Sequence, residues 1–515
     1  MNHPEHETYS PSYGALSFVR SNFLILTVCM IIGRFFYRRH VSPLADLPGP
    51  FLASGSRLWK FWSVLRGHTE TDKVNMHKKY GPIVRLGPDE VAFASPNAAA
   101  DILAVGKGYT KTDFYTCFPM IDNPDIFTEI DENKHAKLKR YSVVPYSLNS
   151  MGKMTKYVEN VENELAGKLD KFADSGRTCD LTDWLHWFSF DDQLLGEVAF
   201  SVRFGFLEKE CDVGGCIAGI DEIQFYDGLI GQVPPLDYLL RRNPILPHLP
   251  SWFQSPPLQI AVMAIGEVMK RKAAVEQIGS AYADDRADLL GQLLEAHAKN
   301  PDEFTEKNVI AVAFGAIGAG SDSTASTMQS FFYLVLNHPN VYSKLESEIL
   351  TAEKEGKLSQ MVSFSEGQAL PYFQACLNEA MRIRPALGLE YQRFVPKGGA
   401  TIDGKQYHGG MRASVNAWAL HRDQNAWGKD ADVFRPERWL EGDAKAMERN
   451  MYQFGGGRHL CIGRNLALLQ MNKLLPQLIR RYHFEIVHPG RPLKHHTTFF
   501  VVQKGLEVRL RKQAQ

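Results

Sequence analysis

One ten-residue stretch narrows what this chain can fold into more than any other: Phe454-Gly-Gly-Gly-Arg-His-Leu-Cys-Ile-Gly463. Apolar residues at helical spacing follow it directly, from Leu466 to Tyr482. Three successive glycines permit a tight turn and let the backbone approach a flat partner where a Cβ would collide. Cys461 falls where the helix begins, so the helix dipole and the free amides of the first turn favour a thiolate over a thiol. Amide hydrogen bonds to such a sulfur also tune it as a metal ligand. Arg458 and His459 add positive potential beside it. These residues describe an activated cysteine suited to a metal. A glycine-rich loop around an inert buried thiol is the alternative at this level.

The rest of the chain reads as one large unit built around that loop. Length alone, 515 residues, suggests roughly three domains. Yet no long Pro/Ser linker, low-complexity tract or solenoid-period repeat interrupts the text after residue 50. Apolar and charged fractions of 44% and 23% are those of an ordered globular chain. Lys+Arg and Asp+Glu balance at 58 each, which argues against a nucleic-acid binder. The seven cysteines form no disulfide framework and read as reduced thiols facing the cytosol. No GxGxxG after a strand and no GxxxxGK[ST] points to a nucleotide-binding core. Short strands are expected at Pro82–Leu86 and Glu90–Ala94 around Gly87-Pro88, with strand-like text again at Pro396–Gly410. Helices are expected at Val158–Phe172, Leu258–Gln277, Asn308–Leu336, Tyr372–Arg384 and Leu466–Tyr482. The fold class is mainly α with small β-sheets.

At the N-terminus, Ala15–Tyr37 carries only Arg20 and Arg34 as charges and contains the apolar run Phe23–Ile32. That run is shorter than the ~20 residues of a comfortable span, so the two arginines would snorkel. Arg38, Arg39 and His40 follow it, while Glu5 and Glu7 precede it, an asymmetry that places the body in the cytosol. A cleaved signal peptide is the rival, but the flank charges are reversed for it and no small-residue cleavage site stands out. Pro43-Leu-Ala-Asp-Leu-Pro-Gly-Pro50 then stops the helix. The expected organisation is a lumenal tail (1–14), a transmembrane anchor (15–37), a basic and proline-rich hinge (38–50) and one catalytic domain (51–515).

Three further stretches carry chemistry only in combination. Ala319-Gly-Ser-Asp-Ser-Thr324 lies in helical text with Gly315, Gly318 and Gly320, small residues that weaken a helix and permit a local opening. Tight helix packing is the alternative. Glu379-Ala-Met-Arg382 shares a helix face at i,i+3, a spacing that most often makes a solvated pair. Lys134-His-Ala-Lys-Leu-Lys-Arg140 reads as a charged, wet helix face.

With Phe434-Arg-Pro-Glu-Arg-Trp439, these stretches in this order resemble the cytochrome P450 superfamily, and the resemblance spans essentially the whole chain. Phe454, Gly457, Cys461 and Gly463 fall on its F-x-x-G-x-R-x-C-x-G pattern; His459 stands at the usual arginine, with Arg458 displaced by one. The resemblance implies a P450 fold holding haem b (iron protoporphyrin IX), with Cys461 as axial iron ligand. It implies propionate contacts from Arg458 or His459, from Arg393 in Gln392-Arg-Phe-Val-Pro396, and from His135 and Lys139 at the positions of a degenerate W-x-x-x-R helix. It makes Glu379, Arg382 and Arg438 a structural triad, one carboxylate clamped by two guanidiniums. It makes Asp322, Ser323 and Thr324 a proton relay for oxygen activation. Ser323 stands where threonine is usual; it can still bond the Ala319 carbonyl but lacks the methyl that stiffens the rotamer, so looser coupling is expected.

The activity implied is monooxygenation: one oxygen atom of O2 enters a small apolar organic substrate by hydroxylation, epoxidation or demethylation. Electrons would come from NADPH through NADPH–cytochrome P450 reductase, with cytochrome b5 as a further donor. The setting would be the endoplasmic reticulum membrane, single-pass, with the catalytic domain cytosolic. Lys79–Val91, Arg203–Leu207 and Thr497–Phe500 look like the fungal microsomal, pisatin demethylase-like branch and suggest secondary metabolism. An oxygen-independent haem-thiolate isomerase or dehydratase is the competing enzyme, and a non-catalytic haem-binding membrane protein the competing class; the acid–alcohol pair counts against both. Tyr109–Met120, Ile223–Leu240 and Ala386–Tyr391 are the expected pocket segments, and they encode no recognisable ligand shape.

Overall fold

Local capping explains where the helices that frame the site begin. In a computed structural model, residues 11–118, 123–191, 196–248, 259–278 and 288–513 are described. The first ten residues of the expected tail, Pro119 and Met120 of one expected pocket segment, and Leu258 lie outside them. Helix α1 spans Pro11–His40. Asp131 starts α2 (Glu132–Ser142) by accepting the amides of Asn133 and Lys134 at 2.9 and 3.0 Å. Asp180 does the same for α3 (Leu181–Ser189) through Thr182 N–H at 3.0 Å. Helix α4 covers Cys216–Ile230. Thr305 and Asn308 form a reciprocal capping box ahead of α5 (Glu306–Leu336). Pro371 opens α6 (Pro371–Ile383), where its missing N–H leaves nothing unpaired. Helix α7 (Arg464–Arg481) follows the cysteine loop.

Helix α5 runs through two apolar clusters and touches α3, α6 and α7. Its C-terminal half packs Phe331, Phe332 and Val335 with Leu185, Phe373 and Leu474. Its N-terminal half packs Val309, Val312 and Ile317 with Phe190, Phe206 and Leu290. Small residues separate the two halves. The mainly helical body with small sheets is the architecture expected, and it is one large domain.

Five strands make the largest sheet: β1 (Ile83–Gly87), β2 (Glu90–Phe93), β3 (Thr110–Lys111), β4 (Tyr391–Phe394) and β5 (Arg412–Val415), in the order β1-β2-β5-β4-β3. Strands β2 and β5 are parallel and the other pairs antiparallel. The β3–β4 register sets Lys111 directly opposite Arg393. The strand-like text at 396–410 is a separate hairpin, Ala400–Ile402 with Lys405–Tyr407.

In α1, an 18-residue window within Arg20–His40 has mean hydropathy 1.2 and none of that window packs inside the protein. Among the described residues it is the one helix long and apolar enough to cross a membrane, and the expected anchor falls within α1. The hinge is docked to the sheet. Arg85 donates to the carbonyls of Arg38 (2.8 Å) and Leu44 (3.2 Å) and to the Ser42 hydroxyl (3.1 Å). All seven cysteines are free thiols.

Candidate active site

Positive φ at Gly455 (73°) and Gly457 (59°) folds the cysteine loop back on itself. A Cβ at 457 would collide with the Leu103 carbonyl, so the turn requires glycine. The fold-back lets Cys461 N–H donate to Phe454 O at 2.9 Å and leaves the thiol facing a cavity of about 360 Å³. Desolvation pushes the thiol pKa above its ordinary value, while the amides of Gly463 and Arg464 and the charges of Lys139 and Arg464 pull it down. Burial wins, against the expectation that the helix start alone favours thiolate. A bound metal cation would reverse that balance by displacing the proton.

Across the cavity stand Gly315, Ala319, Gly320, Ser323 and Thr324 of α5. The helix is continuous here rather than opened. Ser323 Oγ donates to the Ala319 carbonyl at 2.8 Å, the bond expected of it. Asp322 behaves differently, because it does not line the cavity. Its Oδ1 pairs with His186 Nε2 of α3 at 2.8 Å, and its Oδ2 accepts from Gln224 Nε2 of α4 at 2.9 Å. The structure thus brings two of the three expected relay residues to the cavity and holds the acid just off it, on His186 and the cavity-lining Gln224.

At the cavity rim the chain collects cations. Arg393 and Lys111 are both 4% exposed, sit opposite each other, and have no carboxylate within 4 Å among the described residues. Like charges in direct register destabilise a sheet. Arg393 Nη1 donates to Tyr115 Oη (2.9 Å) and Lys111 Nζ to the carbonyls of Ile126 (2.8 Å) and Phe127 (2.7 Å). Burial, reinforced by Arg393, brings Lys111 down to about 7. His135 and His459 lie in contact with ring centroids 4.3 Å apart, tilted at 50°. Burial depresses them to about 3 and about 4, and each Nδ1 is buried without a partner. His459 Nε2 meets Glu132 at 3.0 Å and lines the cavity. Arg458 is 41% exposed and does not line it. Of the two, His459 is the one that lines the cavity Cys461 faces. Lys139 lines the cavity as well and donates to the loop carbonyls of Arg458 (2.7 Å) and Leu460 (3.2 Å).

Behind the loop, Glu379 and Arg382 are fully buried and Arg438 nearly so. Glu379 accepts from Arg382 Nε and Nη2 (2.8 Å each), Arg438 Nε (2.9 Å) and Trp439 Nε1 (3.0 Å). His421 extends the clamp to the loop. Its Nδ1 meets Arg382 O at 3.1 Å, and its Nε2 accepts Tyr452 N–H at 2.9 Å.

These observations fit a haem. The cavity runs from Cys461 to the small residues Gly315, Ala319 and Gly320 of α5, and the unbalanced cations with two orphaned imidazole nitrogens suit two carboxylates. Glu132, His135 and His459 also cluster as metal ligands would, but a metal cation there would face Lys111 and Arg393. Lys111, Tyr115 and Gln224 fall within the expected pocket segments without an expected role, and His186 lies outside them; the partners of all four are set by tertiary structure alone.

Fold and site together define a haem-thiolate oxidoreductase, a protein that requires a redox partner and takes an apolar substrate. The chain belongs to the cytochrome P450 family: the family model described as Cytochrome P450 matches residues 52–510. It is similar to cytochrome P450 monooxygenase cicH of Emericella nidulans, 32% identical over 488 residues, covering 93% of this chain and 96% of that one. It is similar to cytochrome P450 monooxygenase gsfF of Penicillium aethiopicum, 31% identical over 506 residues, 96% of this chain and 98% of that one. A pisatin demethylase of Fusarium vanettenii is 30% identical over 477 residues, covering 91% and 88%.

Proposed function

We propose that this cytochrome P450 is anchored by α1 in the endoplasmic reticulum membrane with its body in the cytosol, and that it receives electrons from NADPH through NADPH–cytochrome P450 reductase, with cytochrome b5 as a further donor. It inserts one oxygen atom of O2 into an apolar organic molecule of fungal secondary metabolism. The observation that carries the reading is Cys461 facing Ala319 and Ser323 across an apolar cavity.

When bound, the haem supplies dioxygen activation, and a thiolate ligand favours O–O cleavage. The chain's own residues do the rest. Cys461 would hold the iron, and Arg393, Lys111, His135 and His459 would hold the propionates. Phe118, Leu387, Phe499 and Phe500 exclude water and aim the substrate. Ser323 and Thr324 keep hydroxyl protons at the cavity. His186, 13% open at its side chain, links Asp322 Oδ1 to solvent, and Asp322 passes protons to the hydroxyls on turning from its resting partners. Glu379, Arg382, Arg438 and His421 keep α6 fixed to the loop.

The test is reconstitution with reductase, NADPH and labelled oxygen gas on a panel of apolar aromatic and terpenoid compounds. One labelled oxygen atom per product molecule, with NADPH consumed, is expected. Product formed without NADPH would move the protein to the isomerases and dehydratases.

A further inference from the structure

We infer that Asp125 is the substrate-orienting residue of this cavity and that it takes a neutral hydroxyl group on an otherwise apolar substrate. The inference rests on the monooxygenase reading above.

Asp125 interrupts a largely aromatic and aliphatic wall. Its Oδ1 accepts from Thr128 N–H at 2.8 Å and Thr128 Oγ1 at 2.7 Å, and its own N–H donates to Thr128 Oγ1 at 2.8 Å. Backbone and side chain are therefore both pinned before any ligand arrives. Oδ2 has no donor among the described residues and lies against Gly315, one helical turn ahead of Ala319. A Cβ at 315 would collide with that oxygen, so glycine is what lets a carboxylate rest on the helix at this height.

The polar side chains on facing α4 are already engaged. Gln224 bonds Asp322 and Asp227 accepts from Arg241 Nη1 at 2.9 Å. A ligand hydroxyl that donates to this Asp125 oxygen within the apolar cavity makes a charge-assisted bond. Lys111 and Arg393 stand in the same wall, so a cationic ligand group would be repelled by them where a neutral donor is not.

The experiment titrates the holoenzyme with phenylimidazole and with its hydroxyl, methoxy and aminomethyl derivatives at each ring position, reading the Soret shift and thermal stabilisation. In the parent, the best hydroxyl isomer should bind about tenfold tighter than phenylimidazole. Asp125→Leu should erase that gain while leaving phenylimidazole unchanged. Asp125→Asn keeps the Thr128 bonds and sets Nδ2 in place of Oδ2, so preference should pass from hydroxyl to methoxy. Gly315→Ala should lose the hydroxyl gain with the Asp125–Thr128 pairing intact. A parent that shifts its Soret band with every compound yet does not discriminate overturns the inference alone, and tighter aminomethyl than hydroxyl binding overturns the neutral-donor assignment. A parent with no Soret shift at all removes the haem reading and the inference with it.

Discussion

Replacing Glu379 by alanine strips an acceptor from five donors: Arg382 Nε and Nη2, Arg438 Nε, Trp439 Nε1 and Arg435 N–H. The hydrogen-bond loss is partial. Arg382 keeps the carbonyls of His421 and Ala431 at 2.6 Å and of Val433 at 3.1 Å. The charge loss is not, because Glu379 is the one carboxylate paired with Arg382 among the described residues, and both are 0% exposed. Arg438 retains Asp430 at 3.2 Å, so the penalty concentrates on Arg382. Breaking a buried pair by removing one partner costs about 3–5 kcal/mol, a large share of a typical total of about 5–15 kcal/mol. The strain travels through His421 to Tyr452 and the cysteine loop, so haem retention should fall with stability. The assay is the haem-to-protein ratio of purified Glu379→Ala together with its urea unfolding curve; Arg438→Met should be milder on both. Parent haem content with a loss below about 1 kcal/mol, the scale of a surface pair, would refute the reasoning.

Cys461→Ser should abolish the red-shifted carbon-monoxide band of the reduced protein; a retained band would move the ligand to another thiol. Gly457→Ala forces an L-residue to φ 59° and into the Leu103 carbonyl, so it should cost about 1–3 kcal/mol and release haem more readily; an unchanged melting curve would refute the cradle. Asp322→Asn should slow product formation by roughly 10²-fold, the lower end for a proton-transfer group, and His186→Ala by less, both with the carbon-monoxide band intact; a parent rate in either would end that residue's part in proton supply. Burial pushes the Glu390 carboxyl up, but Lys73 and Lys60 more than offset it and hold it at about 2. Its folded pKa thus lies below the ordinary value, so it stabilises the fold above about pH 4.5 and loses that contribution as pH falls towards 2, at most about 3 kcal/mol. Glu390→Gln should flatten the acid limb of urea midpoints between about pH 5 and 2.5; equal slopes would refute this.

What the sequence made legible was what lies close together along the chain. The cysteine loop, the α6 pair and the Ser323–Ala319 bond are all within ten residues, where spacing and side-chain chemistry determine the geometry. The α1 segment was legible for the same reason, as a continuous apolar run. The rest depends on contacts between remote segments. His186 meets Asp322 across 136 residues and Gln224 meets it across 98, so nothing near Asp322 announced which way its carboxylate would turn. Lys111 sits in a two-residue strand whose partner, Arg393, comes from far downstream. Lys139, expected at a propionate from its helix position, lines the cavity and also reaches the carbonyls of Arg458 and Leu460, bonds across 319 and 321 residues that no local spacing announced. Asp125 fell just outside the expected pocket segments; an acid between Pro124 and the apolar Ile126-Phe127 was the signal available.

The tether on Asp322 carries a consequence for how such an enzyme could be tuned. At rest Ser323 addresses the cavity while His186 and Gln224 hold the acid, so on the proposed relay each turnover would loosen a hold anchored on two other helices. His186 lines no part of the cavity, so exchanging it changes the tempo of proton supply while the shape offered to substrate stays the same. Speed and selectivity are thereby set by different side chains, and drift at position 186 could slow or quicken the catalyst without altering its choice of molecule.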